Sequence, residues 1–127
     1  MDSLSFLVVE DSPTMRQLIS FSLRRFKGCK IVEAVDGVDA LKKLQTETVD
    51  MILTDINMPV MDGLKLVTLV RQNNALHDIP IGLIRSEGAQ DERQRGLALG
   101  ADAYISKPIQ SSALLKVITE ILDKQKS

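Results

Sequence analysis

The apolar residues of this chain follow two alternating patterns. Short, almost uninterrupted apolar runs predict five buried strands, at residues 5–9, 30–35, 49–54, 79–84 and 103–106. The stretches after these runs carry apolar residues at three- and four-residue spacing, which predicts five helices. Strands this apolar, separated by helices, are typical of a parallel sheet covered on both faces. The sequence therefore predicts one α/β domain over residues 1–127, a doubly wound (βα)5 three-layer sandwich with a parallel five-stranded sheet.

Polar residues mark where the predicted helices begin. Ser12 followed by Pro13 supplies an N-cap and a first-turn proline. The core face of this first helix is expected to carry Met15, Leu18, Ile19, Leu23 and Phe26, with Gly28 as the stop. Four more helices are predicted. The second follows Asp36-Gly37, the third follows Asp62-Gly63, the fourth spans the weakly patterned residues 90–99, and the fifth follows Ser111 or Ser112.

Charged and polar side chains stand where each of four strands ends. In a parallel sheet these ends share one edge, where ligands bind. The residues expected to meet there are Glu10 and Asp11, Asp55, Arg85 and Ser86, and Lys107. Three carboxylates this close repel one another, so they need a proton or a cation. Oxygen ligands without histidine or cysteine favour Mg²⁺.

Asp55 is the predicted reacting group. A carboxylate flanked by Mg²⁺ and by Lys107 is suited to attack phosphorus, because phosphoryl transfer depends mainly on positioning and charge neutralisation. A buried strand leading straight into Asp55 is the feature that singles it out.

Composition narrows the class of protein. The chain has 127 residues, 44% of them apolar, and a formal net charge of -1, as expected of one soluble domain. No stretch is long enough for a membrane span or resembles a signal peptide. The scattered basic residues do not form a nucleic-acid footprint. We therefore expect a cytoplasmic monomer that binds neither membrane nor nucleic acid.

The segments VVEDSPTMR, DINMPVMDG and GADAYISKP resemble the receiver domain of response regulators, and most closely its single-domain chemotaxis members. The resemblance covers essentially the whole chain and implies a flavodoxin-like sheet of order 2-1-3-4-5. It implies two-component signalling, in which a histidine kinase or phosphotransfer protein phosphorylates Asp55. It also implies that the chain has no enzymatic activity of its own beyond self-dephosphorylation. The Mg²⁺ ligands it implies are Glu10, Asp11, Asp55 and the backbone carbonyl of Asn57.

The resemblance also implies how phosphorylation is read out. Tyr104 matches the family's switch aromatic, which reports to the surface formed by the fourth helix, the fifth strand and the fifth helix. A downstream protein would bind that surface. Asn57 and Glu87 match the two positions that control hydrolysis of the phosphoryl group, and this pair implies a short-lived phosphorylated form.

One position departs from the family pattern. Arg85 stands where the family carries a threonine or serine whose hydroxyl binds a phosphoryl oxygen, and Ser86 is its neighbour. Either Arg85 contacts phosphate in its own way or Ser86 takes over. Arg85 leaves open a phosphorylation-independent pseudo-receiver or adaptor. A haloacid-dehalogenase-type phosphatase is a third alternative, but that family has a second aspartate where Asn57 stands.

Overall fold

The computed structural model describes residues 4–85, 90–107 and 109–125. Strands and helices alternate along them as β1 (Ser5–Val9), α1 (Pro13–Leu23), β2 (Lys30–Ala34), α2 (Gly37–Thr46), β3 (Met51–Asp55), α3 (Gly63–Gln72), β4 (Ile81–Arg85), α4 (Gln90–Leu99), β5 (Ala103–Ser106) and α5 (Ser111–Gln125). Within these ranges, no helix combines the length and the apolar character needed to cross a membrane.

The strands form one parallel sheet in the order β2-β1-β3-β4-β5. Leu7 of β1 pairs with Val32 on one side and with Ile52 on the other. Across the next pair of strands, Asp55 lies opposite Ile84. The doubly wound fold and its strand order are thereby confirmed. Because β2 and β3 flank β1, the carboxyl ends of β1 and β3 are neighbours at the point where ligands bind in such sheets.

Two apolar layers enclose the sheet, as predicted. Phe6 and Val8 of β1 pack in the layer that contains the buried residues of α1 and α5. Leu7 and Val9 pack in the opposite layer, with the buried residues of α2 and α3. This alternation follows from the two-residue period of a strand, and it anchors β1 from both faces.

Side-chain caps fix the helix starts, at the predicted place for α1, but at Gly37 and Gly63 for α2 and α3, where the prediction put the starts after these glycines. The Ser12 hydroxyl accepts a hydrogen bond from the N–H of Met15 at 3.3 Å, and Pro13 is the first residue of α1. The carboxylates of Asp36 and Asp62 accept the equivalent bonds in α2 and α3, each at 2.8 Å. These caps satisfy N–H groups that have no partner inside the helix.

The predicted core face of α1 is partly wrong. Leu18 is 40% exposed, and the buried apolar side chains of this helix are Ile19 and Leu23. The helix also ends before Phe26, which packs from the following turn against Phe6, with the ring centroids 5.5 Å apart. Leu18 lies beside the buried stripe and not on it, because that stripe advances by four residues from Met15.

Three strand boundaries differ from the prediction. β2 ends at Ala34, one residue early, and β3 runs from Met51 to Asp55. β4 begins at Ile81, because Asp102 accepts a hydrogen bond from its N–H at 2.8 Å and Pro80 has no N–H to give. Asp55 and Arg85 are consequently the last residues of their strands and do not lie beyond them.

Candidate functional site

Asp55 ends β3 at the carboxyl edge of the sheet and is only 3% exposed. The first turn of α3 lies directly against it. The N–H of Gly63 donates to the carbonyl of Ile56 at 2.9 Å, and a Cβ at Gly63 would collide with the carbonyl oxygen of Asp55. Only glycine permits this close approach, so Gly63 allows α3 to pack directly against the end of β3.

Lys107 lies beside Asp55, as the sequence predicts. Its Nζ donates a hydrogen bond to Oδ2 of Asp55 at 3.0 Å and lies 3.7 Å from Oε1 of Glu10. Lys107 follows β5 and Glu10 follows β1, so three different strands bring these groups together. The site thus has one ammonium group in contact with two buried carboxylates.

Glu10 is held by both its backbone and its side chain. Its N–H donates to the carbonyl of Ala34 at 3.0 Å, and its Oε2 accepts a hydrogen bond from the N–H of Ser12 at 3.0 Å. Its other oxygen, Oε1, is buried and has no hydrogen-bond partner among the described residues. Glu10 itself is 1% exposed. One carboxylate oxygen is therefore fixed inside the site without a donor.

The electrostatics of the site are unusual for carboxylates. The pKa of Glu10 is raised from 4.5 to about 7, chiefly by burial and further by the neighbouring Asp55 and Asp11, although the N–H of Ser12 works in the opposite direction. Burial works against the charge of Lys107, but the hydrogen bond and negative charge of Asp55 outweigh it and raise the pKa of this ammonium. Without a metal, Glu10 holds a proton at neutral pH more readily than an ordinary carboxyl.

The donor set fits a hard divalent cation. One carboxylate oxygen each from Glu10, Asp11 and Asp55 lies within 4.8 Å of the other two. Asp11 is exposed, which leaves the cluster open to water on one side. Among the described residues, Oε1 of Glu10 accepts no hydrogen bond and has only the ammonium of Lys107 nearby, at 3.7 Å, so it is available as a ligand oxygen. Carboxylates with retained waters are the surroundings that Mg²⁺ prefers.

The remaining predicted residues lie around this centre. Asn57 is exposed, and its N–H lies 3.4 Å from Oδ1 of Asp55, so the loop after β3 folds back over the carboxylate. Arg85 ends β4 and pairs with Ser106 of β5. Tyr104 is half-buried in β5 and packs against the layer of α2 and α3. Two predicted positions, Ser86 and Glu87, lie outside the described residues.

Arg16, which contacts Glu10, is a site residue that was not predicted. The guanidinium of Arg16 donates to the backbone carbonyl of Glu10 at 2.8 Å and to Oε1 of Glu33 at 2.7 Å. The one available signal was Glu33 itself, a charged residue in an otherwise apolar stretch of β2.

Comparison with known proteins places this geometry in a family. The model of the response regulator receiver domain matches residues 6–119. A chemotaxis protein CheY homologue of Campylobacter jejuni is 38% identical over 120 residues, which cover 94% of this chain and 92% of the relative.

Two solved structures are similar over nearly their full length. The chemotaxis response regulator CheY4 of Vibrio cholerae has a TM-score of 0.86 and 34% identity, covering 94% of this chain and 99% of the other. The receiver domain of the sensor histidine kinase PA1611 from Pseudomonas aeruginosa has a TM-score of 0.83 and 26% identity, covering 94% and 97%. That structure holds a magnesium ion coordinated in its active site cleft.

Proposed function

This chain belongs to the family of response regulator receiver domains, and from that membership and the geometry of its acidic site we propose that it is a switch activated by phosphorylation of Asp55. The phosphoryl donor is a histidine kinase or a phosphotransfer protein of a two-component system, and the reaction depends on Mg²⁺. The observation that carries the proposal is the contact of buried Asp55 with Lys107 at 3.0 Å, within a cluster of three carboxylates.

The residues support an in-line transfer to Asp55. A carboxylate oxygen of Asp55 forms the new O–P bond as the N–P bond of the donor phosphohistidine breaks, and the electron pair stays on the imidazole nitrogen. Lys107 remains charged and donates a hydrogen bond to Oδ2 of Asp55. It therefore lies next to the reacting carboxylate and neutralises negative charge on the incoming phosphoryl group. Because Asp55 is only 3% exposed, few water molecules can compete at its carboxylate.

The acidic cluster holds the metal in this proposal. The ligands are the carboxylates of Glu10, Asp11 and Asp55, with the backbone carbonyl of Asn57 as the fourth protein oxygen. When bound, Mg²⁺ offsets the charge of phosphoryl oxygens and orients them for the reaction. The PA1611 receiver domain, with magnesium coordinated in its active site cleft, supports metal binding at this cleft by analogy.

The signal leaves by protein contact. The output surface is formed by α4, β5 and α5, and Tyr104 in β5 responds to phosphorylation there. A downstream protein binds this surface, and the chain acts as a cytoplasmic monomer without catalytic turnover of its own beyond loss of its phosphoryl group. Asn57 and Glu87, by their likeness to the family's hydrolysis-controlling pair, give a short-lived phosphorylated state.

Arg85 favours a second candidate function. A guanidinium at the family's hydroxyl position is always charged and longer than a hydroxyl, and it interacts with phosphate without requiring the same movement of its loop. Phosphorylation would then change the output surface little, and the chain would act as a phosphorylation-independent adaptor. A protein that is phosphorylated on Asp55 but whose Tyr104 does not respond would fit this candidate.

Acetyl phosphate labelling tests the proposal. The wild-type chain incubated with acetyl phosphate and Mg²⁺ should gain the mass of one phosphoryl group, and chelation of the metal should prevent the gain. Asp55→Asn should gain nothing, because its amide lacks the nucleophilic oxygen. Asp78→Asn, at an aspartate whose side chain is 93% exposed, is the matched control and should label like the wild type. Equal labelling of Asp55→Asn would overturn the site assignment.

A further inference from the structure

We propose that Arg16 and Glu33 form a clamp that positions the acidic pair Glu10 and Asp11 for metal binding. The inference rests on the proposed Mg²⁺ site and adds to it a residue that does not touch the metal. Arg16 is a positioning residue in this account, and Glu33 is its anchor.

The side chain of Arg16 links the carboxyl ends of β1 and β2 through hydrogen bonds. It is the fourth residue of α1, and its side chain is only 18% exposed. Its Nε donates to Oε1 of Glu33 on β2 at 2.7 Å, and its Nη1 donates to the backbone carbonyl of Glu10 at 2.8 Å. A planar guanidinium that makes two charge-assisted bonds in different directions has little freedom left.

The bond from Arg16 completes the immobilisation of Glu10. Ala34 holds the N–H of Glu10, Ser12 holds its Oε2, and Arg16 holds its carbonyl. The carbonyl of Glu10 belongs to the same peptide group as the N–H of Asp11, so fixing its orientation also fixes how Asp11 leaves β1. Without Arg16 the peptide can rotate, and both carboxylates lose part of their alignment.

The sign of the effect separates positioning from simple electrostatics. Arg16 is a cation near a cation site, so the loss of its charge alone would strengthen Mg²⁺ binding. Loss of a positioning contact would weaken binding instead, as removal of groups that orient metal ligands generally does. The two explanations therefore predict opposite changes for one substitution.

The test is calorimetric titration of the purified chain with Mg²⁺ at pH 8. We expect Arg16→Ala to weaken binding about tenfold. Arg16→Lys keeps the charge but cannot reach both acceptors, so it should weaken binding by a smaller factor, about threefold. Arg25→Ala removes the same charge from an exposed position and should bind within about twofold of the wild type. Glu33→Gln should weaken binding in the wild type but not in Arg16→Ala, because the two residues act as one unit.

Three outcomes of the titrations would overturn the inference or the metal site on which it rests. Equal or tighter Mg²⁺ binding by a folded Arg16→Ala overturns the inference and leaves the metal site intact. If Arg16→Ala does not fold, Arg16→Lys decides, and an affinity equal to the wild type overturns the inference. A wild-type chain that does not bind Mg²⁺ overturns the proposed metal site, and the clamp with it.

Discussion

Magnesium binding should be linked to the loss of a proton from Glu10. The pKa of Glu10 is about 7 in the metal-free protein, chiefly because of burial. At pH 6 its carboxyl is then protonated in about nine of ten molecules, and at pH 8 in about one of ten. Mg²⁺ binds the carboxylate and must displace that proton. The apparent Kd for Mg²⁺ should therefore be about tenfold higher at pH 6 than at pH 8.

Calorimetry can measure both the affinity and the proton. Titrations at pH 6 in two buffers of different ionisation enthalpy should show release of about 0.9 protons per Mg²⁺, falling towards zero at pH 8. The control is Glu10→Gln, which has no proton to lose. Its affinity should be weaker than wild type at pH 8 and should lose this pH dependence. An apparent Kd that does not change between pH 6 and pH 8, or binding at pH 6 without proton release, would show that Mg²⁺ binding is not linked to a proton on Glu10.

Further substitutions test the close approach at Gly63, the positive φ of Val60 and the role of Arg85 at the end of β4. In Gly63→Ala, the new Cβ would collide with the carbonyl oxygen of Asp55 at the end of β3. This substitution should therefore lower the free energy of unfolding by about 2 kcal/mol, measured by urea denaturation, and should slow phosphorylation, measured by the labelling rate. Val60 is 81% exposed and has a φ of 68°, which is strained for a β-branched residue. Val60→Gly should therefore raise the free energy of unfolding by about 1 kcal/mol, whereas the control Val35→Gly should lower it. A loss of stability in Val60→Gly would contradict the inferred strain. If Arg85 limits switching, Arg85→Thr should enlarge the change that beryllofluoride and Mg²⁺ cause in the fluorescence of Tyr104, the single tyrosine of a chain without tryptophan. An unchanged response and an unchanged phosphorylation rate would count against a role for Arg85.

Much of the site could be predicted because parallel sheets gather the ends of their strands. Glu10, Asp55 and Lys107 are distant in sequence, yet each stands where a strand ends, so the fold alone brings them together. The start of α1 was equally readable, since Ser12 caps the helix through a purely local bond, whereas Asp62, interpreted as part of a turn, is the cap of α3.

What escaped prediction depends on tertiary contacts. Leu18 has the spacing of a core residue but lies beside the buried stripe of α1, and the spacing alone does not define where that stripe is centred. The start of β4 is set by Asp102, which reaches it from the turn before β5. Arg16 of α1 donates hydrogen bonds to the backbone carbonyl of Glu10 and to Glu33 of β2, and neither partner can be inferred from the position of Arg16 in the sequence.

The most direct test of the central claim is to locate the phosphoryl group. Borohydride reduction of the chain after incubation with acetyl phosphate and Mg²⁺ converts an aspartyl phosphate to homoserine, which fragmentation mass spectrometry can place at a single residue. Homoserine is expected at position 55, dependent on Mg²⁺ and absent when acetyl phosphate is omitted. Homoserine at position 11, or a phosphoryl group that survives reduction as a serine or threonine ester, would contradict it.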